Sequence, residues 1–249
     1  MPFVPLVLPA GTTADDEQLV RDRLDPLLAD VHAMLCLPRR DVEGLEAGCN
    51  LSAALTLLDV VSGVSRWLYG TPTNFGKSGE SFKCLLAEFY PWSEERHIAG
   101  AMLGMDAAEA LYQGFRNPLA HALGHYAMGE KSPFLGVTIK VLKDEHGMRD
   151  DELGRIESSV SRSPSFVVPT LATDSATPIG RTYTKLTVKC LYWGVRRLVH
   201  DTLLARHFEH GGFVHAGDAP GIIASLAAST TVSTALDVLP LETLPKTDK

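Results

Sequence analysis

The 249-residue sequence predicts a mainly α protein, an antiparallel helical bundle with a small β-containing excursion after the core helices. Three observations carry this. Two early segments, Asp15–Leu37 and Asp41–Tyr69, repeat apolar residues at helical spacing. A late segment, Tyr183–His207, does the same. Between them Leu135–Val141 alternates and is β-branched, as a strand should be.

In the first helix Thr12 or Thr13 is placed to cap, with Asp15, Asp16 and Glu17 at the positive helix end. Leu19, Val20, Leu24, Leu27, Leu28, Val31 and Leu35 form its apolar stripe. Pro26 predicts a kink or two shorter helices, and Pro38 ends the run. In the second helix Leu45, Cys49, Ala53, Leu57, Val60, Val61, Val64 and Leu68 take the buried side, so the pair opens a bundle.

Gly70–Gly79 is the first break. Its Gly76-Lys77-Ser78 is no phosphate loop: five residues separate Gly70 from Gly76 where four are needed, and a helix precedes it rather than a strand. Lys77 is still placed to meet a substrate phosphate. Ser81–Phe89 is a short amphipathic helix. Ser93 is expected to cap the next one, running through Met102 and Leu103 past the weak points Gly100 and Gly104 and restarting at Asp106. Phe166-Val167-Val168 is a second strand or a partner segment. In the returning helix Leu186, Cys190, Trp193, Leu198 and Leu203 point inward.

Composition narrows the function. A chain with 45% hydrophobic residues can bury a sizeable core. With 30 acidic against 23 basic side chains, the net charge of −7 argues against nonspecific duplex binding through a global positive field. Any nucleic-acid contact is local. Cys36, Cys49, Cys84 and Cys190 are scattered, with no paired spacing, and are expected to be reduced, mostly buried thiols in a cytoplasmic protein. The apolar start lacks a basic leader and is broken by prolines, and no uncharged apolar run reaches membrane-spanning length. No membrane partner is expected.

The chemistry concentrates in Phe115-Arg116-Asn117-Pro118-Leu119-Ala120-His121. Arginine supplies a permanent forked cation, and histidine exchanges protons near neutral pH. In a regular helix Arg116 and His121 would diverge by about 140°, whereas Asn117 and His121 share a face. Pro118 crowds the carbonyl of Gly114, so a kink or a new helix start is expected there, turning Arg116 towards His121 near a helix N-terminus that favours phosphate. Such a set can cleave RNA: His121 as base on the ribose 2′-hydroxyl or acid on the leaving oxygen, Arg116 on the developing phosphate charge, Asn117 orienting the imidazole or binding phosphate.

Arg116-Asn117-x-x-x-His121 within a helical domain resembles the signature of the HEPN family, all-helical domains often found as metal-independent endoribonucleases of toxin–antitoxin and antiphage systems. The resemblance covers a HEPN-like core over residues 13–126 plus 183–207; outside it, 134–180 reads as a β-containing insertion and 216–249 as a flexible or loosely docked tail. It also implies a homodimer with the active groove between protomers, RNA as substrate, an antitoxin or regulatory protein as a further partner, and no cofactor. Arg196 and Arg197, with His200, Arg206 and His207, gather cations on the late helix; they line an RNA path or balance the acids.

Other assignments stay open. Arg116 can instead serve structure, pairing with Glu109 or Glu130, with His121 in a packing face. A non-catalytic helical module binding a nucleotide, RNA or a protein fits the same motif. His121 and His125 have the spacing of a helical metal pair but lack the glutamate of a metalloprotease. His207, His210 and His215 lack companion ligands at fixed spacing.

Overall fold

A computed structural model of the protein describes residues 2–37, 40–42, 45–47, 49–69, 78–96, 98–117, 138–142, 169–174 and 183–208. Among them the chain is mainly helical, with a β excursion, as the periodicity predicts.

Helix α1 (Ala14–Leu19) starts at Thr13, whose side chain accepts from the Asp16 amide. It continues through a π-helical segment, Val20–Leu24, into α2 (Asp25–Cys36). Pro26 therefore does not split the run. Its ring would crowd the Asp22 carbonyl of an α-helix, and the preceding turn widens, with the Asp25 amide donating five residues back to Val20. The wider turn also resets the stripe: Val20, Leu24, Leu28 and Val31 are buried, while Leu27 faces solvent.

The expected helix from Asp41 begins later. Strands β1 (Arg40–Val42) and β2 (Leu45–Ala47) pair antiparallel with Val42 opposite Leu45. The sequence between them, Glu43-Gly44, suits a tight connection better than a helix interior. Helix α3 (Asn50–Tyr69) follows, and Ala53, Leu57, Val60, Val61, Val64 and Leu68 are buried as expected, whereas Leu45 lies in β2. α3 is the central helix, packing on α2, on α4 (Ser78–Phe89) and on α7 (Val188–Phe208). It is long and apolar enough to cross a membrane, and half of its apolar window is buried within the fold.

After α4 comes one short turn of helix, α5 (Trp92–Glu95), and not the longer helix capped by Ser93. Two anchors stop it. The Trp92 indole donates to the Leu86 carbonyl at 2.7 Å. The fully buried Glu95 carboxylate accepts from both the amide and the hydroxyl of Thr170. The chain then edges the sheet: the Met102 amide donates to Leu171 at 2.8 Å, and Ala101 bridges Ala172. These tertiary bonds outweigh the weak helix propensity of this glycine-containing stretch.

The sheet orders β3 (Thr138–Leu142), β5 (Tyr183–Thr187) and β4 (Leu171–Asp174) with β5 in the middle, parallel to β3 and antiparallel to β4. The returning segment thus begins as a strand, and its helix starts only at Val188. α7 is buried nearly all round from Val188 to Val199, the mark of a helix enclosed by the fold. Its Gly194 lets Tyr90 lie against the backbone, where the phenol donates to the Cys190 carbonyl at 3.2 Å and bonds the Thr170 hydroxyl at 2.8 Å. Cys84 and Cys190 are buried, Cys49 half-buried and Cys36 exposed; all four are free thiols. Phe166–Val168 and the tail 216–249 lie outside the described residues.

Candidate functional site

Helix α6 (Gly104–Glu109) opens on a glycine with φ of +59° and leads directly into a second π-helical segment, Ala110–Arg116. Its last bond runs from the Asn117 amide to the Tyr112 carbonyl, again five residues back. Pro118 supplies the same steric reason as Pro26. Each π segment ends at the second residue before a proline. Such turns are rare and gather at functional sites. The helix therefore passes unbroken through Arg116 to Asn117, where the description stops.

Arg116 and Asn117 are both half-buried and bonded to each other, the Arg116 Nη1 donating to the Asn117 Oδ1 at 3.2 Å. The guanidinium lies over the Tyr112 ring at 6.0 Å. Its Nε is shielded from solvent and has no acceptor among the described residues. Nor does any carboxylate among them pair with it. Glu109 is instead taken by Lys83, whose Nζ sits 2.8 Å from Glu109 and 3.1 Å from Glu80. Burial opposes the charge on Lys83, but hydrogen bonds and attraction from Glu109 and Glu80 prevail and raise its pKa above the ordinary lysine value.

Tyr112 is the mount for this arginine. Its ring packs on Phe82 at 5.4 Å between centroids and covers Gly79 so closely that a Cβ there would meet the Tyr112 Cζ at 2.5 Å. Gly79 lies in the first turn of α4, two residues after Lys77 in sequence. The first turn of α4 and the π segment carrying Arg116 are thus in contact through one aromatic ring. Tyr112 and Gly79 were not legible as site residues; the clue is that Tyr112 lies four residues before Arg116, one helical turn.

Arg196 and Arg197 do not belong to this site. Arg196 is fully buried: it donates to the carbonyls of Val4 at 2.8 Å and Pro5 at 3.4 Å, and lies 5.5 Å from the rings of both Phe3 and Tyr192. Arg197 is buried against Asp201 at 3.0 Å, which also meets His200 at 3.3 Å. Their charges serve packing on an enclosed helix and present no surface to RNA. Among the described residues no three His, Cys, Asp or Glu are grouped to hold a metal ion. Lys77, Pro118, His121, His125, Glu130, His210 and His215 lie outside the described residues.

Compared with protein-family models, with curated proteins and with solved structures, the chain matches none.

Proposed function

We propose that the protein is a metal-independent endoribonuclease of HEPN type, acting as a cytoplasmic homodimer in a toxin or antiphage role with an antitoxin or regulatory partner. The observation that supports this best is the state of Arg116: half-buried, mounted on Tyr112 and bonded to Asn117, with no carboxylate among the described residues paired to it. A structural arginine would be expected to spend its donors on protein acceptors, as Arg196 does.

In the proposed reaction His121 removes the proton of a ribose 2′-hydroxyl, and the 2′-oxygen attacks the adjacent phosphorus. The bond to the 5′-oxygen of the next nucleotide breaks, and a protonated His121, from the partner protomer, returns a proton to that oxygen. Arg116 stabilises the charge on the non-bridging oxygens. The products are a 2′,3′-cyclic phosphate and a 5′-hydroxyl, and DNA resists because it lacks the nucleophile.

The test is cleavage of single-stranded RNA by pure protein in excess chelator. His121→Ala and Arg116→Ala should each lower the rate at least about a hundredfold while leaving the circular dichroism unchanged. Full activity of the His121→Ala protein would sink the assignment.

The burial of Arg196 and Arg197 favours a second reading, because it removes two cations from any RNA path. A non-catalytic helical module, binding a nucleotide, RNA or a protein through Arg116, would then give binding without cleavage. It predicts no growth arrest on expression, and no difference for the Arg116→Ala/His121→Ala double variant.

A further inference from the structure

Residues 2–9 form no helix or strand, yet they are seated on the bundle like a bound peptide. The hydrogen bonds at Val4–Leu6 run between bundle side chains and main-chain atoms of the segment. The Leu6 amide donates to the Asp25 Oδ1 at 2.9 Å, and the Leu6 carbonyl accepts from the Arg21 Nη1 at 3.1 Å. Arg21 and Asp25 are themselves paired at 2.6 Å, so one ion pair reads both polar groups of one residue. Arg196 takes the next two carbonyls upstream, those of Pro5 and Val4.

Side chains add selectivity to this backbone grip. Leu6 is buried to 2% exposure, Phe3 stands edge-on to the His32 ring at 6.0 Å and meets Arg196, and Val4 and Pro5 face outward. Pro2, Pro5 and Pro9 fix φ and favour an extended backbone that loses little entropy on docking. The groove also demands an occupant. Without the segment, the enclosed Arg196 and Asp25 would lose acceptors and a donor, which buried charged groups do not tolerate well.

A hinge joins the segment to α1. The Thr12 amide and hydroxyl both donate to the Pro9 carbonyl, at 3.2 and 2.7 Å, closing a turn with Gly11 at φ of +86°. That value suits glycine at the third position of a type II turn. The turn, not the groove, decides whose groove the segment reaches.

We propose that residues 2–9 are an exchangeable peptide ligand, and that the groove lined by Arg21, Asp25, His32, Tyr192 and Arg196 accepts the same segment from a second copy of this chain. The occupant is chosen by identity: every copy carries a peptide of the required chemistry, with no charged side chain, three prolines and one leucine to fill the pocket. A short tether sets an effective concentration in the millimolar range for seating within one chain. Exchange therefore emerges at high protein concentration and moves lower when the turn is strained.

Gly11→Val strains it, because a β-branched residue rarely adopts positive φ. Light scattering from about 10 µM to about 1 mM, a range bracketing that effective concentration, should show the variant associating beyond the state of the dilute native chain at an at least tenfold lower concentration than the native chain does. An excess of a synthetic peptide spanning residues 2–9 should return it to that dilute native state with the peptide bound. A variant that keeps the dilute native state throughout overturns the proposal, as does an added association that the peptide leaves intact. Should Gly11→Val not fold, the full-length Leu6→Ala chain substitutes. With its own segment loosened, it should bind the labelled peptide at least tenfold more tightly than the native chain does, and absence of saturable binding overturns the proposal equally. Peptide capture by a Gly11→Val chain that never associates beyond the dilute native state overturns the second copy as occupant and points to a segment of another protein.

Discussion

Two glycines in the middle of long helices should respond to alanine with opposite signs. In an exposed helix interior Gly→Ala normally stabilises by about 0.5 to 1 kcal/mol, since the backbone has less freedom to lose. Gly63 of α3 is exposed and a Cβ there meets nothing within 4 Å, so Gly63→Ala should deliver that gain. At Gly194 of α7 the same Cβ would lie 2.1 Å from the Cζ and hydroxyl of Tyr90, with Cε2 at 2.3 Å. The ring must move away from a packed site, at about 1 to 3 kcal/mol. Its hydroxyl then loses the bonds to Thr170 and Cys190, about 1 kcal/mol each. Set against the helix gain of about 1 kcal/mol, Gly194→Ala should destabilise by about 2 to 4 kcal/mol. Urea unfolding of both variants beside the native chain measures this, and the expected fall in Tm for Gly194→Ala is about 5 to 15 °C. In a Tyr90→Leu background the cost of Gly194→Ala should shrink to less than half, because the two side chains share one space. A neutral or stabilising Gly194→Ala would refute the placement of Tyr90 against α7 and with it the tie between sheet and bundle.

Gly79→Ala should push the Tyr112 ring off the first turn of α4 and so unseat Arg116. The ring can swing, so the cost in stability stays near 1 kcal/mol, while RNA cleavage should fall about tenfold or more; unchanged cleavage would show that Tyr112 does not position the arginine. Stability should also fall at alkaline pH. Burial, with Glu80 and Glu88 nearby, pushes the Cys84 thiol up to about 11 from its ordinary 9.0. The unfolded thiol ionises first, so stability present below pH 9 is lost as pH rises to 11, by about 3 kcal/mol. Burial and Glu88 raise the Tyr69 phenol as well, extending the loss above pH 10. Cys84→Ala should flatten the stability profile between pH 9 and 11 by about one proton, and an unaltered slope would contradict the burial of that thiol.

The helical class and the stripe of α3 were legible because a buried helix face leaves a 3.6-residue period that the chain cannot hide. What the period concealed was its own edges. Leu186 continues the spacing of Cys190 and Trp193, so Tyr183–Thr187 looks helical, although Tyr-Thr-Lys-Leu-Thr carries the β-branched and aromatic residues of the strand it forms. Leu45 and Cys49 continue the α3 pattern in the same way, although Leu45 lies in β2 and α3 begins only at Asn50. Pro26 showed that something must give but not what, since a π turn absorbs the ring as well as a kink does. At the site, Arg116 and Asn117 were legible as a pair, whereas Arg196 was misjudged. Tyr192, Trp193, Val195 and Val199 around it are apolar, but Arg197 and His200 beside it suggest a charged face, and its acceptors lie 192 and 191 residues away in the chain. No local pattern reports a partner at that distance.

That distance also fixes a schedule. Arg196, which holds the Val4 carbonyl, is made 192 residues after it. At the usual 5 to 20 residues per second this is an interval of roughly 10 to 40 s. Throughout it α1, α2 and α3 can pair, yet the segment before them has no Arg196 to grip it and keeps only Arg21 and Asp25 as partners among those that hold Val4–Leu6. Clasping of Val4 and Pro5 by α7 therefore comes after α1, α2 and α3 can pair. Until it happens, a newborn chain offers an apolar tether to whatever is nearest, including the next chain on the same messenger.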